Sequence, residues 1–274
     1  MPELPEVETI AAGLRSRVVG LVVGRVEVFL PKLLRATSAE DLAALSGAAV
    51  TGVRRRGKIL ILDCGPRTLL FHLKMTGQFL WVGPDVPADG HTRLVMRFVG
   101  LREELRFRDV RKFGFLRSLA AEDVASCSEI ARLGPEPLEV SRPDFESRLR
   151  GRRGRLKSLL LDQRFLAGVG NIYADEMLFA ARLDPRLSAS RLRPDEAGGL
   201  WKAMRSVLRR AVAVGGSSVR DYRGVGGELG DFQTRHRVYG RAGRPCLRCG
   251  APVRRLVLGG RSTFFCPACQ RRRR

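Results

Sequence analysis

The sequence lacks the features that place a protein in or on a membrane. It contains no unbroken apolar run of about 18 residues, the length that crosses a bilayer as a helix. It also has no basic amphipathic stretch with an aromatic-rich face. The first residues, MPELPEVETI, are acidic and do not have the positive start and apolar centre of a secretion signal. We therefore expect a protein without a membrane partner that stays in a reducing compartment.

Acidic residues are scarce. Asp and Glu total 28 against 50 Lys and Arg, which gives a net charge of +22 and a pI near 11.2. Such an excess requires a polyanionic partner, and nucleic acid is the leading candidate. With 274 residues, 44% of them hydrophobic, the chain can fill two compact domains and a small appended module, which excludes a disordered tail.

The hydrophobic pattern changes along the chain, and no internal repeat is visible. Helical spacing of apolar residues predicts a helix over residues 6–19. From about Val22 to Leu119, short β-rich runs such as KILILD and TRLVMRFV alternate with turn residues, which is typical of an antiparallel sandwich or barrel. A less apolar connection follows, and further helices are predicted over residues 143–150, 156–161, 172–181 and 194–214.

Only six cysteines are present, and four of them form two C-x-x-C pairs separated by sixteen residues: Cys246, Cys249, Cys266 and Cys269. Four thiolates at this spacing match a closed structural zinc site with no open catalytic position. The alternative, two disulfides or four ordinary thiols, fits a reducing compartment less well. We expect one structural zinc ion and no redox or nucleotide cofactor. Between the pairs, RRLVLGGRSTFF predicts a hairpin turning at Gly259 and Gly260, whereas Cys64 and Cys127 are interpreted as packing residues.

The N-terminus offers a second chemical group. Pro2 would let the initiator Met be removed, leaving a free amine. An α-amino group has a pKa of about 7.7 to 8.0, against about 10.4 for Lys, so much more of it is neutral and nucleophilic at pH 7. As a secondary amine, proline would form a cationic iminium with an aldehyde carbon, and Glu3 beside it could act as general acid or base. The alternative is that Glu3, Glu6 and Glu8 only complement a helix N-terminus.

Six motifs in order along the whole chain resemble bacterial formamidopyrimidine-DNA glycosylases. They are MPELPEVET, RGK at 56–58, HLKMTG at 72–77, DVRKFG at 109–114, GVGNIYADE at 168–176, and the four-cysteine finger with Arg261. The resemblance implies an enzyme of base excision repair in the bacterial cytoplasm, at the nucleoid, acting as a monomer. It would remove oxidised purines, such as 8-oxoguanine and formamidopyrimidines, from double-stranded DNA and then act as a lyase at the abasic site, by β,δ-elimination.

The resemblance also implies an α+β fold. Residues 1–119 would form an antiparallel β-sandwich flanked by helices, and 120–141 an interdomain linker. Residues 142–240 would form a helical DNA-binding domain with a helix-two-turn-helix element and a lesion-covering loop at 215–232. Residues 241–274 would form the zinc finger.

The family roles are carried over onto matching positions. Pro2 becomes the nucleophile, Glu3 the proton donor to the sugar, Lys58 an acid or base in elimination, and Arg261 the group assigned to the second elimination. Met75, Arg111 and Phe113 match residues that fill the gap left by a base turned out of the stack. The remaining implied DNA contacts are His91, Arg153, Lys157 and Asn171. The implied lesion loop contains Ser217, Ser218, Val219 and Arg220.

Two other readings remain open. An endonuclease VIII-like enzyme that prefers oxidised pyrimidines would share Pro2 and Glu3, although Leu4 and Val7 favour the purine-directed branch. A non-catalytic zinc-finger DNA-binding protein would explain the charge and the finger but leaves the N-terminal motif without a role.

Overall fold

In the computed structural model, residues 1–219 and 222–271 are described, and they form two compact units. The first contains residues 1–131 and 215–231, and the second contains residues 132–214 and 232–271. The sequence grouped the loop 215–232 with the helical domain, whereas residues 215–231 cluster with the first unit.

The first unit begins with helix α1, Leu4–Val18, close to the predicted 6–19. Pro5 lies in its first turn, where a missing N–H costs nothing. Apolar residues at helical spacing, including Ile10 and Leu14, are fully buried and pack into the core of the unit.

Two four-stranded antiparallel sheets follow, in agreement with the predicted sandwich. One sheet has the order β1-β6-β7-β5 and the other the order β2-β3-β4-β8. The strands are β1 Val23–Val28, β2 Val50–Arg56, β3 Ile59–Cys64, β4 Arg67–His72, β5 Gly77–Val82, β6 Thr92–Phe98, β7 Glu104–Asp109 and β8 Phe115–Ala120. Short helices α2 (Ala39–Ala43) and α3 (Ser128–Ala131) complete the unit.

Aromatic residues join the two sheets. Phe71 on β4 lies edge-on to Phe79 on β5, with ring centroids 4.9 Å apart, and Phe107 on β7 lies 5.7 Å from Phe71. All three rings are buried. Aromatic pairs of this kind stabilise a fold by about 0.5–1.5 kcal/mol each, beyond the free energy gained by burying their surface. The centre of the sandwich is therefore a rigid support for its loops.

The second unit is helical except for one hairpin. Its helices are α4 Arg142–Leu149, α5 Leu156–Leu161, α6 Asn171–Ala180 and α7 Pro194–Ala213, each within one residue of the predicted limits. The hairpin comprises β9, Arg254–Leu258, and β10, Arg261–Phe265, and it turns at Gly259 and Gly260 as predicted. Both glycines have positive φ, 54° and 72°, a conformation that disfavours other residues.

Among the described residues, no helix has the length and apolar character needed to cross a membrane.

Candidate active site and nucleic-acid interface

The N-terminus of the chain is held at the start of helix α1. Met1 is 42% exposed, whereas Pro2 and Glu3 are buried. Glu3 is the N-cap residue and forms a capping box with Glu6, whose Oε2 accepts the Glu3 N–H at 2.7 Å. The two candidate catalytic residues therefore have a backbone position that is fixed by local hydrogen bonds.

Glu6 also connects the N-terminus to the glycine-rich segment. Its Oε1 accepts the N–H of Ser217 at 2.8 Å, and the Tyr222 hydroxyl lies 3.4 Å from the Glu6 carbonyl oxygen. A Cβ on Gly216 would lie 2.6 Å from Glu6 Oε1, so only glycine allows this approach. The proposed lesion loop thus starts directly beside the candidate catalytic residues.

Strand β2 brings Lys58 to the same end of helix α1. Arg55 forms an ion pair with Glu8, with 2.7 Å between Nε and Oε2, and Arg15, two turns further along the helix, donates to the Val53 carbonyl oxygen. Strand and helix therefore run in opposite directions. The turn after β2, which carries Lys58, lies at the end where the helix begins. Lys58 is buried.

A neutral histidine lies among cations next to this turn. His72 pairs with Ile59, the residue after Lys58, and burial together with the nearby charges of Lys74, Lys58 and Arg35 lowers the pKa of His72 to about 3. Its Nδ1 accepts the Lys74 N–H at 3.0 Å, so the proton of the neutral ring is on Nε2. The result is a cationic patch with a neutral N–H donor, an arrangement suited to a phosphate.

Three exposed side chains project from two neighbouring loops of the sandwich. Met75 is 39% and Phe113 51% exposed, and the Arg111 guanidinium lies 4.9 Å from the Phe113 ring centroid. We call residues 73–76 and 110–113 the two wedge loops. They follow β4 and β7, and β5 and β7 are paired directly at Gly77 and Asp109. Strand pairing thus places the loop of Met75 next to the loop of Arg111 and Phe113, which lies more than 30 positions further along the chain.

His91 lies beside the same strand end. Its carbonyl oxygen accepts the Asp109 N–H at 2.9 Å, its own N–H donates to Asp89, and its Nδ1 is 3.4 Å from the Arg93 guanidinium. The half-buried ring is therefore placed next to the second wedge loop by backbone contacts.

In the proposed lesion loop, the side chains have different surroundings. Ser217 is buried, and Ser218 Oγ donates to the Tyr222 carbonyl oxygen while accepting the Gly230 N–H. Val219 is exposed, and Arg220 lies outside the described residues. Ser218 therefore closes the loop internally rather than pointing its hydroxyl outward.

In the second unit, Asn171 lies against the strand that begins with Arg261. Asn171 is the first residue of α6, and its Nδ2 donates to the Ser262 carbonyl oxygen at 2.9 Å. This bond places the exposed Arg261, the first residue of β10, beside the positive end of the α6 dipole. A guanidinium next to a helix N-terminus is a favourable site for a phosphate. Arg153 is also exposed in this unit.

Lys157, predicted to contact DNA, is instead buried completely. Its Nζ lies 2.7 Å from Asp175 Oδ1 and donates to the Ser262 carbonyl oxygen and the Thr263 hydroxyl. Asp175 also accepts the Phe264 N–H, and burial raises the pKa of Asp175 to about 7 in spite of Lys157. A buried charge needs such partners, so Lys157 supports β10 from below, and its ammonium does not reach the surface.

The four cysteines form the predicted zinc site. Their sulfurs all lie within 4.8 Å of one another, with 4.0 Å between Cys246 and Cys269 and 3.5 Å between Cys249 and Cys266. Tetrahedral zinc with bonds of about 2.3 Å requires sulfurs about 3.8 Å apart, so the cluster fits the ion. Backbone N–H groups of Arg248 and Cys269 point at the sulfurs of Cys246 and Cys266, as expected around thiolates.

Reasoning from the sequence missed several residues of the site. His72 lies inside the quoted motif HLKMTG and Asp175 inside GVGNIYADE, but neither spacing nor periodicity indicates that one faces a cationic patch and the other a buried lysine. Glu6 was read only as a possible helix-terminal charge, and its bond to Ser217 joins residues 211 positions apart.

Three family models match consecutive parts of the chain. They are described as the formamidopyrimidine-DNA glycosylase N-terminal domain over residues 1–116, the formamidopyrimidine-DNA glycosylase H2TH domain over 133–223, and a zinc finger found in FPG and IleRS over 243–272.

Curated relatives are similar over the full length. Proteins named formamidopyrimidine-DNA glycosylase from Listeria innocua and Heliobacterium modesticaldum are 40% and 44% identical to this chain, and each alignment covers 99% of the chain and 100% of the relative.

Solved structures agree. The complex of the Lactococcus lactis FPG mutant G226P with Fapy-dG-containing DNA matches with a TM-score of 0.93 at 35% identity, covering 99% of this chain and 100% of that one. The complex of Lactococcus lactis Fpg with abasic-site DNA matches with a TM-score of 0.93 at 34% identity, covering 98% and 100%.

Proposed function

Because this chain belongs to the formamidopyrimidine-DNA glycosylase family, we propose that it is a bifunctional enzyme that removes oxidised purines from double-stranded DNA and cleaves the resulting abasic site. The observation that carries the proposal is the fixed N-terminal pair Pro2 and Glu3 at the start of α1, at the same helix end as Lys58. The relatives solved with Fapy-dG and abasic-site DNA support the choice of substrates.

Pro2 acts as the nucleophile once Met1 is removed. The neutral nitrogen forms a bond to C1′ of the damaged nucleotide, the glycosidic bond breaks, and the base leaves with the electron pair and takes up a proton. Glu3 protonates the ring oxygen as the C1′–O4′ bond opens, which leaves a cationic iminium. A secondary amine cannot lose this charge by deprotonation at nitrogen, so the iminium remains an electron sink.

Elimination then cuts the backbone on both sides. Loss of a C2′ proton to a base expels the 3′ phosphate, and a second elimination expels the 5′ phosphate. Lys58 would transfer protons. The cationic patch to which it belongs, with Lys74 and Arg35 around His72, would bind one phosphate. Arg261 and Asn171, which is bonded to the residue after Arg261, would bind phosphate and assist the second elimination.

The wedge loops open the duplex. A target base inside the stack is out of reach of Pro2, so its nucleotide has to rotate out. Met75 and Phe113 are apolar and exposed, and such side chains insert between bases in proteins that kink DNA. Arg111, held against Phe113, would donate hydrogen bonds to the base left without a partner.

The zinc ion has a structural role. With four thiolate ligands, it supplies no open coordination position and no Lewis acid to the reaction. Its part is to hold the finger in which Arg261 lies.

Borohydride trapping tests the proposal. The processed protein is expected to form a covalent adduct with duplexes containing 8-oxoguanine or an abasic site, because borohydride reduces the iminium to a stable amine. Protein that retains Met1 should form none, and Glu3→Gln should lose base excision. Adduct formation by the Met1-retaining protein would contradict Pro2 as nucleophile, and faster excision of thymine glycol than of 8-oxoguanine would contradict the purine preference.

A further inference from the structure

One threonine hydroxyl connects the two wedge loops. Thr76, at the end of the first loop, donates its hydroxyl proton to Asp109 Oδ1 at 2.5 Å, and the Thr76 hydroxyl oxygen in turn accepts the N–H of Arg111 at 3.1 Å. Both side chains are buried: Asp109 is 1% exposed and Thr76 is 9% exposed. The hydroxyl therefore fixes the first loop to the strand end and to the backbone of the second loop.

Asp109 holds the other end of the second loop. Its Oδ2 accepts the Gly114 N–H at 2.7 Å, so the carboxylate bridges the segment that carries Arg111 and Phe113. Its carbonyl oxygen accepts from the buried Arg93 guanidinium at 2.9 Å, and its N–H donates to the His91 carbonyl oxygen. Hydrogen bonds to its backbone thus fix the position of Asp109, and its side chain fixes the shape of the second wedge loop.

The packing below the two wedge loops leaves no space for a side chain at the glycine that follows each loop. A Cβ on Gly77 would lie 2.5 Å from the Leu73 carbonyl oxygen, and one on Gly114 would lie 2.9 Å from the Phe107 ring. Each loop also contains a lysine with positive φ, Lys74 at 50° and Lys112 at 57°, a costly conformation that persists only where the surroundings impose it. The hydrogen bonds of Thr76 and Asp109 hold these loops, together with the bonds from Lys74 N–H to His72 Nδ1 and from Gly77 N–H to the Leu73 carbonyl oxygen.

We propose that Thr76 and Asp109 are positioning residues that hold Met75, Arg111 and Phe113 as one rigid wedge, so that the three side chains enter the duplex together. This inference rests on the proposed function. Neither residue touches the sugar; they act on the step that opens the stack. The chemistry at Pro2 then proceeds at its own rate once a sugar is within reach.

The polarity of the pair makes it testable by isosteric replacements. An ionised Asp109 only accepts, so the Thr76 proton must point to it, and the Thr76 lone pair is then free for Arg111 N–H. Thr76→Val keeps the shape but removes both bonds, whereas Thr76→Ser keeps the hydroxyl. In Asp109→Asn, an NH₂ group turned toward the Gly114 N–H loses that bond, whereas one turned toward Thr76 reverses the direction of the Thr76 bond; in both cases the charged acceptor is replaced by a neutral, weaker one.

The experiment compares two substrates under single-turnover conditions: 8-oxoguanine in a fully paired duplex, where the stack must be opened, and a preformed abasic site in a single strand, where there is no partner strand to part. We expect T76V and D109N to slow excision from the duplex by about tenfold or more, as for the loss of a buried hydrogen bond to a charged group. Borohydride trapping on the single strand should change by less than about twofold, and T76S should restore most of the duplex rate.

Thr68 provides the matched control. It is a buried threonine whose hydroxyl donates to Asp63 Oδ1 at 2.9 Å, but it lies on β4, away from both loops. T68V should lower the thermal stability about as much as T76V and leave the duplex-to-single-strand ratio unchanged. In a Met75→Ala background, T76V should have a smaller effect on that ratio, because the side chain that it positions is gone.

Two outcomes would overturn the inference: an unchanged duplex-to-single-strand ratio in T76V and D109N, whether both rates are normal or both fall equally, or the same ratio change in T68V as in T76V. If the unmodified enzyme traps on neither substrate, the proposed function fails instead, and the two failures are distinguishable.

Discussion

The two regions that carry the candidate chemistry are held in different ways. The N-terminal pair is fixed by its own helix, because the capping box joins Glu3 to Glu6, three residues away. Arg261 is positioned by distant partners. The strand that it begins is bonded to Lys157 and Asn171, 105 and 91 residues from Ser262, and its hairpin is closed by the zinc cysteines.

Local and long-range support should therefore respond differently to a substitution. A site built on one helix terminus loses a cap when a residue is changed, a loss of about 1 kcal/mol. A hairpin that depends on a metal and a buried ion pair loses its whole arrangement when either is removed. The contrast between the two kinds of support can be tested by experiment.

The largest effect is expected from removal of zinc. Structural zinc contributes an apparent 10–16 kcal/mol, roughly, in small fingers. Stripping the ion with a chelator should therefore abolish hydrogen-exchange protection in β9 and β10 and the second elimination that Arg261 assists. Amides of β3 and β4 in the first unit should stay protected. Persistent protection of the hairpin after zinc loss would show that packing alone holds it.

The next effect concerns the buried ion pair. Lys157→Met leaves Asp175 without its counter-charge, and breaking a buried pair costs about 3–5 kcal/mol. Urea unfolding of the second unit should show this loss, and the cleavage products should shift from double to single elimination. The double variant K157M/D175N, which buries no charge, should recover most of the stability. No recovery would mean that the lysine acts through something other than this pair.

The pH dependence follows from the same carboxyl. Burial raises the pKa of Asp175 in the folded protein to about 7, well above the ordinary value for an aspartate. A raised pKa gives stability that is complete below the unfolded value and is lost as the pH rises through the folded value. K157M should therefore be least destabilised near pH 4 and most above pH 7, and the double variant should not show this trend.

The smallest effect is expected at the N-terminal helix. Glu6→Gln has one acceptor oxygen for the two N–H groups of Glu3 and Ser217, so one bond is lost, at about 1–2 kcal/mol. Thermal unfolding and excision rate measure the change. Glu8→Gln is the matched control, since its amide oxygen can still accept from Arg55. A loss in E6Q as large as in K157M would remove the contrast between the two regions.

The contrast between local and long-range support also explains which features could be predicted from the sequence. The limits of the five longest helices were predicted within two residues, because a cap, an apolar period and a stop lie close together in the chain, whereas the short helices α2 and α3 were not predicted. The finger was predicted because metal-ligand spacing is itself a local pattern, and the structure brings the four sulfurs together. The resemblance extended these local patterns to the family, which the comparisons confirm.

Long-range features were less accessible. The strand β2, VTGVRRR, carries only two buried apolar side chains, Val50 and Val53, so its period is hidden by arginines that pair elsewhere. The resemblance implied Lys157 as a DNA contact, and only the fold shows that its ammonium is buried against Asp175. The Thr76 and Asp109 bonds join positions 33 residues apart that only strand pairing brings together.

The crowding at Gly77 and Gly114 limits how the wedge surface could be redesigned. Replacing glycine by alanine is a common route to stabilisation, because it restricts the unfolded chain, but at these two positions a methyl group would meet a carbonyl oxygen or a ring edge. A library aimed at altered duplex geometries therefore has its freedom at the three exposed side chains. The two glycines set a fixed frame, within which those side chains can be exchanged without rebuilding the loops.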